Sequence, residues 1–257
     1  MSAVLLPPQQ TVLGYPVDLG TKAELLARLH TQLDAPDTAP PTVHVVTLNP
    51  EMIMRGQQDP AFGTVLKQAD LVLPDGAGVV WALNRRLKGE QPQARVAGIE
   101  FSEALLAHAA EHREPVALIG AADDINRAAV ANLIERFRGL QVVYHHHGFL
   151  QTDAQRRAVA EACAMAQPRY VFVAMGVPHQ EYWIRDYRHL FSQPTALIGV
   201  GGSFDIWSGL KQRAHPLFLK LGLEWLWRIT AEPWRLKRVY KTLPMFVVQV
   251  LVSKDCT

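Results

Sequence analysis

Hydrophobic and polar positions along the chain follow two alternating rhythms. Short apolar runs recur at Thr42–Leu48, Leu71–Leu73, Val116–Ile119, Gln141–Tyr144, Tyr170–Met175 and Thr195–Val200. Such runs, bounded by Gly, Pro or Asp, read as buried strands. Val12–Leu19 reads as one further short strand. Between the runs, apolar residues return at three- and four-residue spacing, as on an amphipathic helix. Thr21 and Glu24 form a capping box ahead of Leu25, Leu26, Leu29 and Leu33. Further helices are predicted from Asn49-Pro50, over Phe62–Ala69, from Gly78 to Leu83, over Ile99–His112, from an Asp123 or Asp124 cap to Phe137, and over Thr152–Ala166. Another follows Pro178, which suits a first helical turn.

Repeated strand–loop–helix order predicts an α/β fold: a Rossmann-like, mostly parallel sheet with helices on both faces. From about Ala214 the strand signals stop. Pro216–Thr230 and Pro233–Val252 read as two helices rich in Trp, Leu and Arg. The expected organisation is therefore an α/β domain over residues 1–213 and a C-terminal helical appendage over residues 214–257.

In a parallel sheet the ligand sits at the carboxyl ends of the strands. That rule selects Thr47, Asn49, Asp75, Gly120, Gly176, Gln180, Gly199, Gly201 and Asp205. Asp75 follows a strand and precedes Gly76 and Gly78, which leave its carboxylate room beside a ligand. Such a carboxylate either acts as a general base or caps the next helix. Thr47 and Asn49 offer a hydroxyl and an amide, although Asn-Pro is also an ordinary turn. The turns at Gly120, Gly176 and Gly199–Gly202 can present N–H groups to phosphates. None completes the dinucleotide fingerprint, because Phe204 stands where the last small residue belongs, and there is no P-loop. Gln180 and Glu181 lie near a helix start, where their polar ends either face the pocket or cap the helix.

Metal chemistry finds little support. His145, His146 and His147 would alternate between faces of a strand, which is poor geometry for one ion. No Asp-x-Asp occurs to hold a metal–diphosphate. Neither a metal nor a cofactor is expected.

The formal charge of +2 is unremarkable, but its distribution is uneven. Lys211, Arg213, Lys220, Arg228, Arg235, Lys237, Arg238 and Lys241 face only Glu224 and Glu232 in the same stretch. Such a basic surface favours phosphates, nucleic acid or anionic lipid. Trp225, Trp227 and Trp234, with the apolar residues around them, favour a lipid interface over nucleic acid, unless the helices simply pack on the main domain. The two cysteines, Cys163 and Cys256, suggest neither a metal site nor a disulfide framework, and hence a reducing compartment. Without a basic, apolar leader or a run of roughly 20 apolar residues, the expected location is cytoplasmic, at the inner face of the membrane.

The motifs TLNPEM (47–52), LPDGAGVVWA (73–82), RVAGIE (95–100), LIGA (118–121), MGVPHQEYWI (175–184), GVGGSFDIWSG (199–209) and LEWLWRITAEPWRLKR (223–238) stand in this order along the chain. In this combination the sequence resembles the WecG/TagA/CpsF family of bacterial glycosyltransferases. It departs from the family pattern at HHHGFL (145–150) and at His215-Pro216. The resemblance implies an inverting transferase that uses a UDP-sugar without a metal. The implied acceptor is a sugar on a polyprenyl diphosphate, and the product serves a cell-surface polysaccharide or teichoic acid. The implied donor carries N-acetylmannosamine, its uronic acid, or glucose. By the same resemblance Asp75 is the general base, Thr47 and Asn49 lie beside it, Arg95 and Gln180 contact donor or acceptor, and Arg228, Arg235 and Arg238 engage the lipid diphosphate. Implied partners are an anionic membrane surface and, for members that self-associate through the main domain, a second copy of the chain; nucleic acid is not among them. The competing reading is a non-catalytic nucleotide-sugar-binding module recruited to the membrane.

Overall fold

The computed structural model describes residues 9–35, 42–87, 92–213, 218 and 235–253. Its body is a six-stranded sheet built from β3 (Thr42–Leu48), β4 (Leu71–Pro74), β5 (Pro115–Gly120), β6 (Gln141–His146), β7 (Tyr170–Ala174) and β8 (Thr195–Gly199). The spatial order is β4-β3-β8-β7-β5-β6, and every pairing is parallel. All six carboxyl ends therefore open on the same edge.

Apart from the edge strand β6, whose residues are exposed or half-buried, the sheet is buried on both faces, and successive residues along each strand supply the two sides. Val43, Val45, Leu71, Leu73, Leu118, Phe172 and Ile198 join one core with α1 (Lys22–Leu33), α5 (Gly98–His112), α6 (Asp123–Arg136) and α9 (Ser203–Trp207). On the opposite face Val46, Leu48 and Val72 pack on α2 (Pro50–Gln58), α3 (Pro60–Lys67) and α4 (Ala77–Arg86). Further along that face Ile119, Val171, Val173 and Leu197 pack on α7 (Asp153–Met165) and α8 (His179–Tyr187). Each fully buried aliphatic side chain contributes about 1.5–3 kcal/mol, whereas an exposed ion pair contributes about 0–1 kcal/mol. The two-sided core therefore dominates the stability.

Local chemistry explains most boundaries. The Thr21–Glu24 capping box forms, and Thr152 and Gln155 make a second one at the start of α7. Asn49 caps α2, accepting from the Met52 N–H at 3.1 Å, and Pro50 opens that helix. The segment expected as one strand over 12–19 is instead a hairpin, β1 (Gln9–Val12) against antiparallel β2 (Tyr15–Asp18). Leu13 and Gly14 both have positive φ, 51° and 79°, which makes the tight turn between them. Asp123 and Asp124 do not cap α6, because Ala122 holds the cap position. They lie inside its first turn, where their charge still suits the helix dipole. β6 runs beyond Tyr144 to His146.

The last described helix, α10 (Arg235–Val252), falls where the second appendage helix was expected. Phe246 and Val250 bury it in the core shared with α2 and α4. Apart from Phe218, the expected first appendage helix lies outside the described residues, as do Trp225, Trp227, Arg228 and Trp234; Arg235 and Arg238 stand in α10. Among the described residues no helix is long and apolar enough to cross a membrane.

Candidate active site

Asp75 stands immediately after β4, its N–H bonded to the Leu48 carbonyl at 3.1 Å and to the Leu73 carbonyl at 2.9 Å. The irregular stretch before α5 returns alongside, with the Val96 N–H donating to the Pro74 carbonyl at 3.0 Å. This contact brings Arg95 to Asp75. Arg95 donates from Nε at 3.0 Å and from a terminal nitrogen at 2.9 Å, both to Asp75 Oδ1. Both side chains keep 23% of their surface exposed, so the pair is sheltered yet reachable.

Asp75 Oδ2 faces the start of α5. A Cβ added at Gly98 would lie 3.4 Å from Oδ2 and 2.6 Å from the Thr47 methyl. Gly98 therefore allows close approach of α5, Thr47 and Asp75, a role that strand-end reasoning overlooked although RVAGIE contains it. Gly76 has φ +124°, and a Cβ there would meet Pro50 at 3.0 Å and Asn49 at 3.2 Å. Gly78 lies against Pro50, Leu243 and Phe246, so α10 packs directly beside the Asp75 turn.

The four strand-end glycines separate into two kinds. Gly120 and Gly199 are closed: a Cβ at Gly120 would lie 2.4 Å from the Ala174 carbonyl oxygen, and one at Gly199 would lie 2.5 Å from Gln180 Nε2. Their absent side chains serve internal packing. Gly176 and Gly201 are open, with positive φ of 75° and 50° and nothing within 4 Å of an added Cβ. Those are the turns a ligand can approach. The Gly201 N–H already donates to Gln180 Oε1 at 3.1 Å.

Gln180 and Glu181 are 2% and 1% exposed, so their polar ends are enclosed by the protein. Gln180 Nε2 donates to Glu181 Oε1 at 2.7 Å. Burial pushes the Glu181 carboxyl up to about 7. Asp205, in the first turn of α9, is paired with Lys211 at 2.6 Å. Arg213 is paired with Glu100 of α5, so part of the basic stretch is matched internally.

His145 is held apart from His146 and His147, whose ring centroids lie 4.3 Å from each other. His145 Nδ1 lies 3.0 Å from Asn126 Oδ1, and His146 Nδ1 lies 2.8 Å from the His147 carbonyl. Among the described residues no group of three or more His, Cys, Asp or Glu side chains is placed to hold a metal ion. Asn126, which sequence reasoning missed, donates to the Gly120 and His146 carbonyls and fastens the ends of β5 and β6. Beyond those ends lies a cavity of about 600 Å³ between Phe149, Met175, His179, Tyr182, Trp183 and Arg185. Phe149 is 69% exposed. Asp75 and Arg95 are not in its wall, because β4 and β6 occupy opposite edges of the sheet.

An all-parallel sheet wound on both faces, with a sheltered carboxylate and open glycine turns at its carboxyl edge, defines a Rossmann-like α/β protein, a fold in which ligands as a rule bind at that edge. Residues 10–256 match the model of the glycosyl transferase WecG/TagA/CpsF family, and the chain belongs to that family. It is a glycosyltransferase. Among its relatives is a protein of Bacillus spizizenii, 37% identical over 207 residues, which cover 80% of this chain and 78% of the relative. A Bacillus subtilis protein is 36% identical over the same shares. One from Staphylococcus aureus is 33% identical over 244 residues, covering 95% and 92%. All three are named N-acetylglucosaminyldiphosphoundecaprenol N-acetyl-beta-D-mannosaminyltransferase.

Proposed function

We propose that this chain transfers N-acetylmannosamine from its UDP-sugar, with inversion, to an N-acetylglucosamine carried on undecaprenyl diphosphate. The names of the three relatives support this donor sugar and acceptor over the uronic acid or glucose. The observation that carries the mechanism is the asymmetry of Asp75: Oδ1 takes two hydrogen bonds from Arg95, while Oδ2 faces the space beside Thr47 and Gly98.

Inversion requires one base to take the proton of the acceptor hydroxyl while its oxygen attacks the anomeric carbon opposite UDP. Asp75 Oδ2 takes that proton. Arg95 holds the carboxylate in place through Oδ1. Thr47 and Asn49 border the acceptor hydroxyl; the Asn49 oxygen is committed to capping α2, which leaves its NH₂ for the ligand. The leaving UDP gains negative charge, which preorganised donors and cations at the site stabilise without a metal. Gly176 and Gly201 give the diphosphate its close approach to the backbone. Asp205 and Lys211 lie beside the second of these turns.

The basic segment 214–257 serves the lipid end. Arg228, Arg235 and Arg238 engage the acceptor diphosphate, and the tryptophans and exposed apolar residues of this segment hold the protein on an anionic cytoplasmic leaflet. Self-association through the α/β body belongs to the same reading.

The experiment is a donor panel. The protein is incubated with a lipid-diphosphate N-acetylglucosamine acceptor and individual UDP-sugars in EDTA, and the extended lipid is read by mass. Extension by UDP-N-acetylmannosamine alone is expected. Extension only by another UDP-sugar would overturn the donor assignment, and dependence on added metal would overturn the metal-free mechanism.

A further inference from the structure

Glu181 has no part in the chemistry above, yet it lies at the junction of the two open glycine turns. It stands in the first turn of α8, and its Oε2 is buried without a hydrogen-bond partner. Its Oε1 receives Gln180 Nε2. Gln180 in turn reaches both turns. Its backbone N–H donates to the Gly176 carbonyl at 3.1 Å, and its side-chain Oε1 accepts from the Gly201 N–H at 3.1 Å. Gly199 closes the assembly, since a Cβ there would lie 2.5 Å from Gln180 Nε2 and 3.0 Å from Glu181 Oε1.

A primary amide has a donor end and an acceptor end, and rotation by a half turn exchanges them. In the reversed orientation the Gln180 NH₂ would face the Gly201 N–H, and its oxygen would face the Glu181 carboxyl. Both hydrogen bonds would be lost in a buried site. A fixed acceptor at residue 181 therefore selects the orientation that holds Gly201.

We propose that Glu181 is a positioning residue for the donor site: by orienting the Gln180 amide it staples the Gly176 turn to the Gly201 turn and fixes the cradle for the diphosphate of a nucleoside-diphosphate sugar. The proposal rests on the donor reading above. Protonation of the carboxyl on Oε2 leaves Oε1 an acceptor, so the staple holds on either side of the carboxyl's pKa of about 7.

The test uses the full chain, with UDP affinity by calorimetry and donor KM and kcat by product mass. Glu181→Leu keeps the bulk and removes the acceptor; its UDP Kd and donor KM should rise about tenfold, about 1.4 kcal/mol. Glu181→Gln restores an acceptor oxygen and should stay within about threefold of the natural chain. Gln180→Leu should weaken UDP binding as Glu181→Leu does, and the double variant should be no worse than Gln180→Leu alone, because the two act as one unit. Unaltered UDP affinity in Glu181→Leu, or equal losses in the Gln and Leu variants, would overturn the proposal. Amide exchange in the natural chain reads the staple without any substitution: Gly201 should be protected, and exchange as fast as in open loops would also overturn it. Failure of the natural chain to bind UDP would remove the donor reading instead, and Gly201 protection would still report the staple.

Discussion

Arg95 directs Nε and one terminal nitrogen to a single oxygen of Asp75. A two-oxygen fork would bind more tightly but would occupy the whole carboxylate. Binding one oxygen orients the group and leaves the other for a proton. At 23% exposure the pair contributes on the order of 1 kcal/mol or less to folding, so its value lies in geometry.

It follows that Arg95→Lys should cost activity far more than stability. Lysine keeps the charge but lacks the planar pair of donors. The expected result is a fall in kcat of about ten- to a hundredfold, an effect on the scale of losing proton-transfer geometry. The unfolding midpoint in urea should move by less than about 1 kcal/mol. Parallel losses in both measurements would make Arg95 a structural residue.

Glycine substitutions should separate the closed positions from the open ones. Gly98→Ala drives a methyl against Thr47 and Asp75. It should cost about 1–3 kcal/mol, as overpacking does, together with most of the activity. Gly176→Ala meets no neighbour, only positive-φ strain of about 1–2 kcal/mol. Gly120→Ala would place its Cβ 2.4 Å from a carbonyl oxygen and should be the least stable of the three. Chemical denaturation of the set gives the order.

Two buried groups give stability opposite slopes with pH. The Glu181 carboxyl is raised by burial to about 7, so the folded state binds its proton more tightly than the unfolded chain, whose value is 4.5. Stability from this group is greatest below about pH 4.5 and falls as pH rises to about 7. His44 is lowered to about 3, first by burial and then by Arg188, so it is neutral in the fold. Its contribution is full above its ordinary 6.5 and falls as pH drops towards 3. Above pH 6.5 only the Glu181 slope should remain. Melting temperatures of Glu181→Gln relative to the natural chain should therefore improve from pH 5 to pH 8. A constant difference across that range would contradict the burial assignment.

Legibility from sequence followed how local the determining forces are. Thr42–Leu48 was readable residue for residue because a β-branched run ends at a capping Asn and a helix-opening Pro. The Thr21 box was readable because its two partners are three residues apart. The hairpin at Leu13-Gly14 was not, because Leu13 at positive φ is held by strand pairing and not by its own preference. Strand-end reasoning selects Asp75 and Gly176 as candidates. It could not separate open Gly201 from closed Gly199, because the Gln180 side chain that fills the space beside Gly199 arrives from another element. The Asp75–Arg95 contact spans 20 residues and depends on Val96 lying along β4. Periodicity carries no sign of that contact, and the family resemblance singles out Arg95 only as a residue that contacts donor or acceptor.

The central claim is that Asp75 takes the acceptor proton, and Asp75→Asn tests it most directly. The substitution keeps shape and an oxygen for Arg95 but removes the base. With UDP affinity measured in parallel, the rate of sugar transfer to the lipid-linked acceptor should fall by about 10²–10⁴-fold, while UDP binds as tightly as to the natural chain. Transfer at the natural rate, with UDP binding intact, would contradict the account and place the base elsewhere.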